Sequence, residues 1–169
     1  YLNVSKTVAP KEEIEKAANL ISEAKRPVII SGNGVHQSKT YDQLKKISEK
    51  MVAGVATSYR GKGTFSEAHP LGLGVMGLFP EPAANSLVAD ADLLLVVACR
   101  LGPSDTANEN PALIDPTRQK IVQIDIEPRN VGWTFPVDVG LVGDASLILD
   151  QLQDALDELP DNIKTERTQ

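Results

Sequence analysis

The sequence is poor in the residues that special chemistry usually needs. Its 169 residues include one Cys and two His. A lone Cys excludes an internal disulfide framework, and one Cys with two His does not build an ordinary zinc site. Basic residues are outnumbered, 17 Lys and Arg against 23 Asp and Glu, for a net charge of −6. That balance argues against the basic face a nucleic-acid partner requires. The longest purely apolar run, Leu93 to Cys99, falls far short of the roughly 18 residues of a membrane-spanning helix, and no basic-then-apolar leader opens the chain. There is no Gly-x-Ser-x-Gly elbow, no His-based metal pair and no Cys-x-x-Cys, so no catalytic constellation assembles. What remains is long enough to bury about 70% of its unfolded surface without staples. These features describe a soluble, cytoplasmic, acidic domain with no nucleic-acid and no membrane partner. The chain opens on Tyr1 rather than Met; residues 1–9 and 160–169 read as polar linker around a domain at 10–159, as expected of a piece of something longer.

What is there is an alternation of two periodicities. Pro10 suits the start of a helix, and Ile14, Ala17, Ala18, Ile21 and Ala24 follow at helical spacing. After Arg26-Pro27, residues 28–31 form a short β-branched strand, which Gly32-Asn33-Gly34 ends. A second helix has Tyr41, Leu44, Ile47 and Met51 as its inner stripe, and residues 52–58 read as a strand interrupted by Gly54. Residues 60–80 are glycine-rich yet apolar, unlike a flexible linker; such a loop packs its backbone closely, against a neighbouring element or against a ligand. Helix returns at 81–90, followed by the strongest strand, 92–98, whose unbroken apolar run implies cover on both faces. Residues 102–118 read as loop, 120–126 and 137–142 as strands. Asp144 then caps a last helix with Ile148, Leu149, Leu152, Ala155, Leu156 and Leu159 inward. This order predicts an α/β fold, doubly wound, with a mainly parallel sheet and helices on both faces.

Ligands of such folds sit beyond the carboxyl ends of the strands, which directs attention to residues 32–35, 59–63, 99–105, 125–129 and 143–144. Gly32-x-Gly34 opens like a dinucleotide fingerprint, but position 37 is Gln and the acid expected about 20 residues on is missing. A standard NAD site is therefore disfavoured against a tight strand-to-helix turn or a phosphate-cradling variant. Arg60-Gly61-Lys62-Gly63 is not a Walker A loop, because Gly63 stands where Ser or Thr would hold magnesium; the cations form a solvated turn or an anion clamp. Cys99 has no His placed to activate it and reads as a small buried thiol. Arg100, at a strand end, is either a phosphate partner or a plain salt-bridge partner. Asp125 either accepts hydrogen bonds from ribose hydroxyls or caps a turn.

The order of segments is itself informative. Arg26 to Val35, then Gly61-Lys62-Gly63, His69 to Gly74, Ala91 to Leu95, Ile124 to Pro128 and Val142-Gly143-Asp144-Ala145 together resemble the central domain of thiamine-diphosphate-dependent enzymes. Acetolactate-synthase-like carboligases and pyruvate-oxidase-like decarboxylases are the nearest kin. The likeness covers about residues 10–157. It implies a Rossmann-like (FAD/NAD-binding-domain-like) fold in a homo-oligomeric parent of three domains, between a pyrimidine-binding and a diphosphate-binding domain. Thiamine diphosphate and magnesium would be held by those other domains. The magnesium motif, Gly-Asp-Gly, is absent, since Gly143-Asp144 is followed by Ala145. The isolated chain is therefore expected to be inactive, with no catalytic and no metal-ligating residue of its own.

Some family members hold FAD or ADP in this domain. The resemblance places the cofactor-binding positions at Gly32, Asn33, Gly34, Gly74, Gly77, Arg100, Asp125, Ile126 and Asp144. Flavin members carry a Gly-Met-His-Gly-like segment where this chain has Gly77-Leu78-Phe79-Pro80. Their Gly-Ala-Arg-Phe-Asp-Asp-Arg-like strand end is here Ala98-Cys99-Arg100-Leu101-Gly102-Pro103-Ser104. These departures disfavour FAD and leave ADP or an empty pocket. The alternatives are an FAD- or ADP-binding module of the electron-transfer-flavoprotein type and a ligand-free scaffolding domain.

Overall fold

The computed structural model describes residues 6–159. Eleven regular elements follow in chain order: α1 (Lys11–Glu23), β1 (Pro27–Ser31), α2 (Gly34–Ser38), α3 (Tyr41–Met51), β2 (Gly54–Thr57), β3 (Gly72–Val75), α4 (Ala84–Asp90), β4 (Leu93–Val97), β5 (Lys120–Asp125), β6 (Val139–Val142) and α5 (Ala145–Asp157). The six strands form one sheet in the order β3-β2-β1-β4-β5-β6, with every pairing parallel. This is the doubly wound order whose switch point, between β1 and β4, opens a crevice at the strands' carboxyl ends.

Alternation along each strand divides the apolar residues between two cores. Ile29, Val55, Leu93, Leu95, Val97, Val122, Ile124 and Leu141 face α1, α3 and α5, whose Ile14, Ile21, Leu44, Ile47, Ile148 and Leu152 complete a dry layer. Val28, Ile30, Ala56, Leu94, Val96 and Ile121 face the other way. There the cover is unequal: α4 supplies Ala84 and Val88, and the irregular chain after β4 supplies Cys99, Leu101, Leu113 and Ile114. Each fully buried aliphatic side chain contributes about 1.5–3 kcal/mol, so this unwound segment is part of the core.

Several boundaries differ from the sequence expectation, each for a local reason. α2 and α3 are separate helices because Lys39 adopts a left-handed conformation (φ 55°) that breaks the chain between them. Tyr41 is not on the inner stripe of α3 but 41% exposed, with its hydroxyl 3.0 Å from His36 Nδ1. The glycine-rich stretch contains a strand: β3 pairs with β2 through a register shift between Val55 and Ala56, and Leu73 lies over Gly54, where a Cβ would sit 2.8 Å from it. Residues 6–9, expected as linker, are docked. Ala9 is buried and exchanges two hydrogen bonds with the Gln151 amide, while the Thr7 carbonyl accepts from Asp144 N. Residues 1–5 and 160–169 lie outside the described residues.

Candidate functional site

The carboxyl ends of the strands enclose a cleft of about 740 Å³. Its walls are loops that each follow a strand: Asn33 and Gly34 after β1, Ser58 to Arg60 after β2, Ala98 to Arg100 and Gly102 to Asp105 after β4, Asp125 to Glu127 after β5, and Gly143 to Ala145 after β6. Leu78 and Phe79 close one side.

The loops are held by bonds that leave little play. Buried Gln123 on β5 donates to the Cys99 carbonyl (3.1 Å) and the Asn130 carbonyl (3.1 Å) and accepts from Gly132 N (2.9 Å). One side chain thus ties the chain after β4 to the chain after β5. Thr134 adds hydrogen bonds to the carbonyls of Arg100 and Leu101. On the opposite side, Leu78 N donates to the Ser104 carbonyl, the Tyr59 hydroxyl accepts from Phe79 N, and Asp105 Oδ1 accepts from Tyr59 N at 3.1 Å.

Charge is divided along this edge. Arg60 and Arg100 stand over β2 and β4, exposed and facing the cleft. Among the hydrogen bonds and ion pairs of the described residues, neither guanidinium is a donor. Over β5 and β6 stand Asp125, Glu127 and Asp144. Hydrogen bonds from Arg129 hold Glu127 down to about 2. Burial pushes the Asp144 carboxyl up, but hydrogen bonds from Ser146 and Lys6 outweigh it and leave it below the usual range. Asp105 differs, because burial raises its pKa more than Tyr59 N, Arg100 and Arg60 lower it. Burial, with Asp105 next, pushes the Cys99 thiol up to about 12; at neutral pH it is a thiol, not a nucleophile.

Of the positions singled out from the sequence, Asn33, Gly34, Arg100, Asp125, Ile126 and Asp144 come together on the cleft wall. Gly32, Gly74 and Gly77 do not line it. Gly32 is fixed by packing, since a Cβ there would meet the Ala98 carbonyl at 2.2 Å. Gly74 faces Glu81, and Gly77 (φ 112°) passes so close to Ser104 that a Cβ would lie 2.1 Å from its carbonyl. Asp125 Oδ1 caps its own turn, accepting from Glu127 N (2.9 Å) and Asn130 Nδ2 (3.1 Å), while the residue still lines the cleft. Lys62 turns away to pair with Glu67 at 3.0 Å. Sequence reasoning did not single out Asp105, although the window after β4 contained it. Its place depends on the path of an irregular loop, which periodicity does not describe.

The cleft suits a ligand with an anionic end over β2, β1 and β4 and a hydroxyl-bearing end over β5 and β6. Guanidiniums bind phosphate oxygens, and carboxylates accept from hydroxyls. Among the described residues no group of three or more His, Cys, Asp or Glu could hold a metal. Asp144 Oδ1 is already engaged by Lys6 and by Ser146 N, at the start of α5. No helix of the described residues is long and apolar enough to cross a membrane.

A family model described as "Thiamine pyrophosphate enzyme, central domain" matches residues 14–152. The chain is 40% identical over 151 residues to "Probable acetolactate synthase large subunit" of Methanocaldococcus jannaschii, covering 89% of this chain and 25% of that protein. It is 37% identical over 134 residues to "Sulfoacetaldehyde acetyltransferase" of Castellaniella defragrans, covering 79% and 22%. Against "Acetolactate synthase large subunit" of Corynebacterium glutamicum the identity is 33% over 140 residues, covering 83% and 22%. The chain spans about a quarter of the length of the curated relatives it matches.

Proposed function

The chain belongs to the thiamine pyrophosphate enzymes as their central domain, and on that premise we propose that it is the nucleotide-binding, structural middle of an acetolactate-synthase-like carboligase or decarboxylase. The parent would act on a small 2-oxo acid, in line with relatives named for acetolactate and for acetyl transfer. Thiamine diphosphate, with magnesium, would supply the nucleophilic carbon there and be held by the flanking domains of the same chain. This domain's residues would bind and orient rather than react, and the whole would be a cytoplasmic homo-oligomer.

The observation that carries the nucleotide reading is the charge division of the cleft. An ADP-type ligand would set its diphosphate against Arg60 and Arg100. Its ribose hydroxyls would donate to the carboxylates over β5 and β6, beside the exposed apolar surface of Ile126. The domain would then stabilise the parent through RT ln(1 + [L]/Kd) of ligand binding.

Titration calorimetry with ADP, FAD and NAD tests this. ADP is expected to bind, and R100Q to weaken it about tenfold, as for loss of one charge-assisted bond. Absence of heat with every nucleotide would leave only the ligand-free scaffold. A flavin spectrum in the purified protein would favour FAD, with Phe79, 81% exposed at the cleft mouth, as a stacking surface. Addition of thiamine diphosphate, magnesium and pyruvate is expected to give no CO2; turnover by this chain would overturn the non-catalytic role.

A further inference from the structure

Among the described residues that line the cleft, Asp105 is the one carboxylate on its cationic side. Its backbone is fixed twice: Asp105 N donates to the Gly102 carbonyl at 2.9 Å, and the adjacent Ser104 carbonyl accepts from Leu78 N at 3.0 Å. Its Oδ1 is fixed by Tyr59 N. The side chain is thereby held toward the turn after β2. Around it stand Arg60 and Tyr59 from the turn after β2 and Arg100 and Cys99 from the end of β4. Asp125, Glu127 and Asp144 line the same cleft from the strands on the far side. Both guanidiniums act on Asp105 electrostatically, yet no ion pair among the described residues joins it to either. The carboxylate thus shares a field with two cations whose hydrogen-bonding capacity is left for something else.

We propose that Asp105 sets the charge this cleft accepts: it lines the same cleft wall as Arg60 and Arg100, stands in the field a ligand phosphate would occupy, and must take up a proton when a diphosphate binds. The inference rests on the nucleotide reading and adds to it a selectivity residue and a pH dependence. The physical cause is like-charge repulsion. A phosphate drawn to the two guanidiniums meets a fixed carboxylate, and two such anions do not both stay ionised at close range. Protonation removes the repulsion while the other oxygen still accepts from Tyr59 N. The group is suited to this, because burial already raises it above the ordinary carboxylate range. Diphosphate affinity accordingly rises as pH falls toward that value, and a neutral ligand of the same shape shows no such dependence.

Calorimetry on the whole chain and on D105N tests the proposal. The amide keeps the acceptor for Tyr59 N and removes the charge. D105N is expected to bind ADP about tenfold more tightly near neutral pH, the equivalent of one pKa unit of coupling. Between about pH 5 and pH 8 the ratio of the two affinities should shrink as pH falls; ADP's own ionisation is common to both proteins and cancels. A second measurement needs no variant. ADP-ribose, whose diphosphate is a diester that does not titrate here, should bind the wild type with proton uptake, read from two buffers of different ionisation heat. Equal ADP affinity in the two proteins, or binding of ADP-ribose with no proton uptake, overturns the role of Asp105 and leaves the nucleotide reading standing. If neither protein binds either compound, both readings fall.

Discussion

Gly32 lies directly against Ala98. A methyl group on its Cα would fall 2.2 Å from the Ala98 carbonyl oxygen and 2.6 Å from Cys99 Cα. Gly32 N donates to the Val97 carbonyl at 2.9 Å and Gly34 N to the Ala98 carbonyl at 3.2 Å. The ends of β1 and β4 are laced together at the switch point, and the glycine there is a packing requirement before it is anything else.

Gly32→Ala is therefore expected to destabilise the fold by about 3 kcal/mol, the upper part of the range for overpacking, because the obstructing atoms are mostly backbone. Urea denaturation reads the difference; an unchanged midpoint would mean the two loops part easily.

Ala107, Asn108 and Glu109 are three consecutive non-glycine residues in the left-handed region, with φ of 51°, 59° and 58°. Such a conformation costs about 1–2 kcal/mol per residue, partly offset by the entropy glycine loses on folding. Glu109 is exposed, and its backbone N–H bond to Thr106 Oγ1 at 3.0 Å does not depend on the side chain. Glu109→Gly is expected to stabilise the domain by about 0.5–1 kcal/mol, seen as a higher melting temperature.

Asp144 and Asp105 should give stability-versus-pH slopes of opposite sign. Asp144 is depressed in the folded state, hydrogen bonds from Ser146 and Lys6 outweighing burial. Its contribution is present above the ordinary Asp range and is lost as pH falls through the depressed value. Asp105 is raised, chiefly by burial; the folded state holds that proton more tightly, so stability falls as pH rises through the ordinary range to the raised value. Asp144→Ala should cost about 1 kcal/mol near neutrality as a lost helix cap, and the deficit should close in acid. D105N should be more stable than the wild type near neutrality and equal to it in acid. Melting curves at stepped pH report both; parallel curves would contradict the assignment.

The long apolar strands and amphipathic helices were legible because burial leaves a periodic trace. Leu93 to Val97, buried on both faces, reads as a central parallel strand, and Asp144 reads as the cap that Ser146 N confirms at 3.0 Å. β3 was not legible: Gly72-Leu73-Gly74-Val75 has little propensity of its own and is a strand because β2 pairs with it. Arg100, Asp125 and Asp144 could be found by the rule that ligands meet strand ends. Gln123 could not, for a buried amide tying two loops looks in the sequence like a polar interruption of an apolar strand. Nor could Asp105, whose environment is set by Tyr59 and Arg60, far from it in the chain.

The placement of β1 has a consequence for synthesis. Its partner on one side, β2, follows soon after it, but its other partner, β4, comes only after β3 and α4 have been made. During translation the middle of the future sheet must wait as an open edge, and non-local parallel pairing of this kind forms slowly. The arrival of Leu93 to Val97 closes that edge and brings Ala98 against Gly32, so the sheet's central seam precedes the loops after β5 and β6 that complete the cleft wall.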